Sequence, residues 1–183
     1  MGFMDSLAQE IIEFWREAGP QKWFVKDASF DDDIRTRFAK AHRAAARGEY
    51  AHWQAEAQST LALLLLTDQF PRNMFRDSAH AFATDAMALH VAHRALRKGY
   101  DSMCGVEMKQ FFYLPLMHSE QIADQELCIA LCQQMGSAEN VKFAIIHRDI
   151  IARFKRFPHR NIVFGRETSA EEQAFLDGGG FAG

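Results

Sequence analysis

The run Leu61-Ala62-Leu63-Leu64-Leu65-Leu66, continued by Thr67-Asp68-Gln69-Phe70-Pro71-Arg72-Asn73, is an apolar stretch that ends in a polar cassette. Apolar residues cover almost every side of a helix drawn through it, and such a helix belongs in the centre of a core. Ser59 is positioned to cap it. Asp68 falls on the face of Leu61, Leu64 and Leu65. A carboxylate buried there needs a cation or hydrogen-bond donors, and Arg160, Arg72 and Arg35 are the candidates. Proline lacks a backbone N–H and biases the residue before it away from the α region, so the helix is predicted to stop at Phe70.

A second cassette nearly repeats the first: Arg156-Phe157-Pro158-His159-Arg160-Asn161. It too closes an apolar helical run with Phe-Pro and then presents Arg and Asn. The same proline argument predicts a stop at Phe157.

Outward from these cassettes, apolar residues recur at three- and four-residue spacing and no stretch sustains two-residue alternation. Leu7, Ile11, Phe14 and Trp15 form one face of a first helix that ends near Gly19-Pro20. Asp31 can cap a second helix through Ile34, Phe38, Ala41 and Ala45, stopped by Gly48. Further helices are read from Thr84 or Asp85 to Gly99, from Ser119 to Gly136 and from Ser137 to Phe157. A capping box, Ser169 with Glu172 or Thr168 with Glu171, opens a last short one. The tail from Gly178 onward is expected to be loose. The fold expected is all-α, with stacked antiparallel helix pairs in a single domain over 1–183, because short connections favour antiparallel neighbours.

Composition agrees with a packed domain. Of 183 residues 48% are apolar and 25% charged, and sixteen are Phe, which implies thick aromatic layers in the core. The net charge of −3 is too mild to argue for a nucleic-acid or membrane partner, and none is expected. Charge is unevenly placed, however. Arg148 to Arg166 carries six basic residues against one acid, Asp149, a local excess of +5. That patch suits a small anionic ligand or pairing with acidic parts of the same fold.

Cys104, Cys128 and Cys132 form no CxxC pair and leave one thiol unpaired in any disulfide scheme, so a reduced, cytoplasmic setting is expected. Cys128 and Cys132, at i and i+4, read as small core residues. The apolar run at Leu61–Leu66 is too short to cross a bilayer. Met1-Gly2-Phe3-Met4-Asp5-Ser6 fits an N-myristoylation pattern, read here as coincidence.

The polar residues held at helix ends or on inner faces define the candidate site. Arg72, Asn73, His118, Arg160 and Asn161 are expected to bind a ligand, with Asp68, Glu120, His147, Arg156 and His159 as the supporting network. Arg offers bidentate recognition of carboxylate or phosphate, and Asn a directional amide. The expected partner is a small anion or a carboxylate-bearing peptide. His118 and Glu120 sit at a helix start, whose dipole favours an anion, and Glu120 itself can serve as that anion. His147 lies amid Phe143, Ile150 and Phe154, whereas His42, His90 and His93 read as surface residues. Asp149, Arg153 and Arg156 share a face and can form an ion-pair ladder.

A rival reading makes the cassettes internal braces of a helical scaffold that holds a partner protein on a concave face. A third uses His118 or His147 as a general base. HExxH, a paired ExxH, a Gly-rich phosphate loop and a GxSxG elbow are all missing, so no metal, cofactor or catalytic role is assigned.

With these residues in place, the chain resembles the bacterial helical family catalogued as domain of unknown function 924. The resemblance is carried by Phe14-Trp15, Lys22-Trp23-Phe24, Phe30-Asp31 with Ile34-Arg35, and Leu61-Ala62-Leu63. It continues through Asp68 to Asn73, Ala81-Phe82-Ala83-Thr84-Asp85, Phe112-Tyr113-Leu114-Pro115 with Met117-His118-Ser119-Glu120, and Arg156 to Asn161 with Gly165-Arg166. It implies a tetratricopeptide-like α–α superhelix and brings no established activity, substrate or cofactor. One departure is Lys155, where the family pattern favours Gly.

Overall fold

The protein is helical throughout in a computed structural model that describes residues 5–181, and no strand occurs among them. Met1 to Met4 of the myristoylation pattern lie outside the described residues. The described chain forms two compact units: residues up to Arg76 with His80–Pro115, and Asp77–Ala79 with the residues from Leu116 onward.

The first unit holds α1 (Ser6–Ala18), α2 (Pro20–Trp23), α3 (Ala28–Ala46), α4 (Ala57–Leu64), α5 (Phe70–Met74), α6 (Asp85–Arg97) and α7 (Val106–Lys109). Gly19, at φ +72°, ends α1 where its sequence suggested, and Pro20 then opens the short α2, which was not expected from the sequence. Helix α3 starts earlier than expected. Asp27 caps it by accepting the Ser29 and Phe30 N–H groups, and Asp31 is instead a buried residue one turn in. Ser59 likewise lies inside α4, which begins at Ala57, and its hydroxyl donates to the Trp53 and Glu56 carbonyls. Either serine or aspartate can serve as cap or as brace, and tertiary partners made the choice.

Helix α4 is the buried centre foreseen: Leu61 to Leu66 are all at most 3% exposed. Around it the rings of Phe14, Trp15, Trp23, Phe30, Phe38, Phe70 and Phe111 interlock, with centroids such as Trp15–Phe70 at 5.4 Å and Phe38–Phe70 at 5.1 Å. The Trp23 indole donates to the Trp15 carbonyl at 2.7 Å, so its one polar atom is satisfied. Each such ring removed from water contributes about 1.5–3 kcal/mol.

The first Phe-Pro cassette does not stop its helix. Leu65–Gln69 form a π-helical turn, Gln69 and Phe70 keep α-region dihedrals, and the chain passes through Pro71 into α5. The Phe70 N–H reaches back five residues to the Leu65 carbonyl, which leaves the Leu66 carbonyl to another donor. His42 Nδ1–H supplies it at 2.8 Å. The Thr84 hydroxyl donates to the Thr67 carbonyl at 2.5 Å, the position a residue-71 N–H would serve in an α-helix. His42, expected on the surface, is buried for this reason, and the burial lowers its pKa.

After α8 (Leu114–Met117) the second unit holds α9 (Ile122–Met135), α10 (Ala138–Phe154) and α11 (Ala170–Asp177). Gly136, left-handed at φ +77°, ends α9, and Ser137 caps α10, so the two pack as an antiparallel pair. Helix α10 ends three residues before Phe157. Lys155 takes φ +61°, a left-handed C-terminal position usually given to glycine, and Phe157 is extended. The second cassette therefore breaks its helix, though at Phe154 rather than at Phe157. Of the two capping boxes the sequence offered, Ser169 with Glu172 is the one that opens α11. Gly178, Gly179 and Gly180 then donate backbone N–H groups to Ala174, Leu176 and Phe175, which ties the glycine segment back onto that helix.

Candidate functional site

In the first unit Arg72 lies among carboxylates. Its Nη1 and Nη2 bond the two Asp85 oxygens, each at 2.9 Å, and Nη1 also meets the Asp68 carbonyl at 2.6 Å and Asp68 Oδ1 at 3.3 Å. Asp68 is 2% exposed, so its sequence-level need for a cation is met by Arg72, four residues on. Burial works against the Arg72 charge, yet Asp68 and Asp85 outweigh it and raise the pKa above the ordinary arginine value. The guanidinium also stacks over the Phe82 ring, 5.5 Å from its centroid.

Asn73 is equally committed. Its amide donates to Asp31 Oδ1 at 2.8 Å, and Arg76 holds both oxygens of the same carboxylate. Arg35 caps the end of α5 by donating twice to the Met74 carbonyl.

The second unit repeats this pairing of guanidinium with carboxylate. Arg156 bonds Glu172 through two contacts, at 2.6 and 2.8 Å. That pair, with the Ser169 N–H, draws the Glu172 pKa from the ordinary 4.5 down to about 2. Arg166 clasps Glu120 at 2.9 and 3.0 Å, and Glu120 also accepts the Phe157 N–H at 3.0 Å. Burial alone would raise the Glu120 pKa, but these donors and the charges of Arg166 and Arg160 leave it below the usual carboxylate range. Glu120 thus locks the extended Phe157 backbone rather than neutralising the start of α9, where Ser119 takes the Gln121 N–H. The Asn161 amide donates weakly to Thr168 at 3.4 Å, and the Asn161 backbone carbonyl accepts the Arg166 backbone N–H at 2.8 Å.

The ion-pair ladder expected on α10 does not form. Asp149 pairs with Arg148, Arg153 with Glu171, and Arg156 with Glu172, because α11 offers carboxylates with better geometry. A shallow groove of about 430 Å³ lies beside this pairing, lined by Arg156, Arg166, Glu167 and Ser169.

The histidines do come together. His118 and His147 stand 6.4 Å apart between ring centroids, His147 lies 5.6 Å from Phe157, and His159 lies 5.6 Å from the same phenylalanine. Arg160, 5% exposed, stacks on the Phe157 ring at 4.4 Å. His147 Nδ1–H donates to the Phe143 carbonyl at 2.8 Å, which fixes the orientation of the ring. Phe181 completes the group, 4.5 Å from His147 and 5.6 Å from His159.

The ten residues singled out in the sequence thus divide between the units. Asp68, Arg72 and Asn73 belong to the first; His118, Glu120, His147, Arg156, His159, Arg160 and Asn161 belong to the second. Reading the sequence for cations missed their partners Asp31, Asp85 and Glu172, together with Thr84 and Phe181. For two of these partners a signal was available, the acid in each of the polar cassettes Phe30-Asp31 and Thr84-Asp85.

Among the described residues no group of three or more His, Cys, Asp or Glu side chains is arranged to hold a metal ion, and no helix is long and apolar enough to cross a membrane. Cys104, Cys128 and Cys132 are all buried, and burial pushes the Cys104 thiol up to about 11.

The molecule is therefore an all-α protein whose polar cassettes are organised as arginine–carboxylate clasps in both units, with a cluster of imidazoles in the second. The chain belongs to the bacterial family of unknown function catalogued as domain of unknown function 924, whose model matches residues 11–180. Among solved structures it is similar to the protein of unknown function ATU0120 from Agrobacterium tumefaciens, at 48% identity and a TM-score of 0.91, over 94% of this chain and 98% of that one. No curated protein matches.

Proposed function

We propose that the protein is a helical interaction module whose Phe-Pro cassettes brace helix junctions and whose outer helix surface receives a protein partner. One observation carries this reading: Arg72, Arg156 and Arg166 each spend two guanidinium nitrogens on an internal carboxylate. A guanidinium whose charge is matched by an internal carboxylate attracts an external anion less strongly. The antiparallel α9–α10 pair suits the stacked, tetratricopeptide-like arrangement that the resemblance implies. Both of its helices also present apolar groups to solvent: Ile122 and Leu127 on α9, Phe143 and Ile145 on α10.

A photo-crosslinking amino acid at Leu127 or Ile145, with Asp177 as control, tests the reading in the source cell. Discrete adducts specific to the first two positions support it. Labelling no different from the control position rejects it.

A second reading, capture of a small anion, is favoured by the groove that Arg156 and Arg166 line. Titration with phosphate, sulfate and short dicarboxylates at constant ionic strength separates the two. A ligand at a hundred times its Kd raises stability by about 2.7 kcal/mol. Bracing arginines give no anion-specific rise.

A further inference from the structure

Phe181 is the part of the imidazole cluster that the bracing role does not explain. Its partly buried ring sits 4.5 Å from His147 and 5.6 Å from His159 and packs against Ile150, Ile151 and Phe157. Three glycines deliver it there. Gly179 takes φ +77°, and a Cβ on Gly180 would fall 2.5 Å from the Phe175 carbonyl oxygen and 2.6 Å from the Phe175 ring. Only glycine permits that approach, because real Cβ atoms do not come so close to backbone oxygen. The ring is thus placed by a backbone path specified residue by residue.

The groups that receive it differ from the rest of the core. Two imidazole rings meet Phe181 at 58° and 78°, tilted and edge-on, the orientations that pair a positive ring edge with a negative ring face. Phe157 forms the floor, and Arg160 stacks on Phe157. By contrast, the backbone that carries Phe181 is joined by hydrogen bonds to the end of an eight-residue helix. Helix ends open at low free-energy cost. A receptive surface and a weakly tethered occupant are the parts of a displaceable plug.

We propose that His147, His159 and Phe157 form a socket for a phenyl-sized aromatic ring, and that Phe181 is its built-in occupant, displaced by an external ring. A tether of a few glycines presents Phe181 at an effective concentration of roughly millimolar. An external ring therefore binds the intact chain more weakly than a chain whose plug is missing, by the factor with which the plug is closed. The external ring belongs either to an aromatic side chain of a peptide or to a free aromatic compound. His147, His159, Phe157 and Phe181 carry this socket independently of the arginine clasps.

The test uses the full chain with isotope-labelled histidine, followed by NMR of the imidazole resonances. The probes are N-acetyl-phenylalanine amide, benzyl alcohol and N-acetyl-leucine amide. Phe181→Ala empties the socket. Gly180→Ala keeps the ring but unseats it, so the two variants reach the same state by different routes. We expect both to bind the aromatic probes at least tenfold more tightly than the unaltered chain, with shifts at His147 and His159. Tighter binding of the capped amino acid than of benzyl alcohol assigns a peptide as the source, and the reverse order assigns a free compound. If neither variant gains affinity, or if the leucine probe shifts the same resonances equally, Phe181 is a fixed core residue and the proposal fails.

Discussion

Pro71 and Pro158 each follow a phenylalanine at the end of an apolar helix, yet the backbones around them differ. In the first cassette the chain runs through Pro71, because a π turn shifts the register and His42 and Thr84 take the released carbonyls. In the second the helix has ended at Phe154, and Lys155 turns the chain through a left-handed conformation before Phe157 extends. Aligned on Phe-Pro, Asp68 stands where Lys155 does. One position is a buried helical acid clasped by Arg72, the other a reversal point in solvent. A proline removes a donor and biases its neighbour. Whether a helix survives depends on whether other groups can serve the carbonyls it leaves.

The largest expected effect tests the first clasp. Arg72→Met removes a cation from beside the buried Asp68 and from Asp85, and should cost about 3–5 kcal/mol in urea denaturation. The matching change in the second cassette, Arg156→Met, should cost clearly less, since the Arg156 side chain is 32% exposed against 15% for Arg72. Equal losses would mean that the two cassettes are braced alike.

Thr84→Val keeps the shape of the side chain and strips the donor from the Thr67 carbonyl. It should cost about 1–3 kcal/mol, the desolvation of a buried acceptor left unserved. If the stability is unchanged, hydroxyl service at Pro71 is not what carries the helix through.

Lys155→Gly is expected to stabilise. A left-handed L-residue costs roughly 1–2 kcal/mol, and glycine returns about half of that as unfolded-state entropy, so the gain should be about 0.5–1 kcal/mol. Asp68→Gly, its counterpart, should destabilise instead. These opposite signs are the sharpest form of the comparison.

The smallest effect is a pH dependence. Glu172 has a folded pKa of about 2 against the ordinary 4.5, so the unfolded chain binds its proton first. Its contribution is complete above pH 4.5 and declines as pH falls toward 2. Arg156→Met should flatten the urea midpoint over that window, and an unchanged slope would remove the clasp from the account.

How much of the site could be read in advance follows the same division. The need of Asp68 for a cation was legible, because a carboxylate among leucines has no water to turn to. The identity of that cation was not, since Arg160, Arg72 and Arg35 all satisfied the sequence. The roles of Asp31 and Ser59 were misread as caps, because those residue types serve caps and internal braces alike. Phe181 carried no signal at all. A phenylalanine after three glycines reads as tail until the glycines are seen to fold it back.

The sequence by itself determined the helical class, the buried α4, the helix boundaries at Gly19, Gly136 and Ser137, and that a capping box opens the last helix, all of which rest on contacts within a few residues. Tertiary structure decided which carboxylate each arginine clasps, which carbonyls His42 and Thr84 serve, and that Phe181 lies on two imidazoles. Local propensity acts through neighbours on the chain. The partners of a guanidinium, a freed carbonyl or an aromatic ring are set by distances across the fold, which residue order alone does not fix.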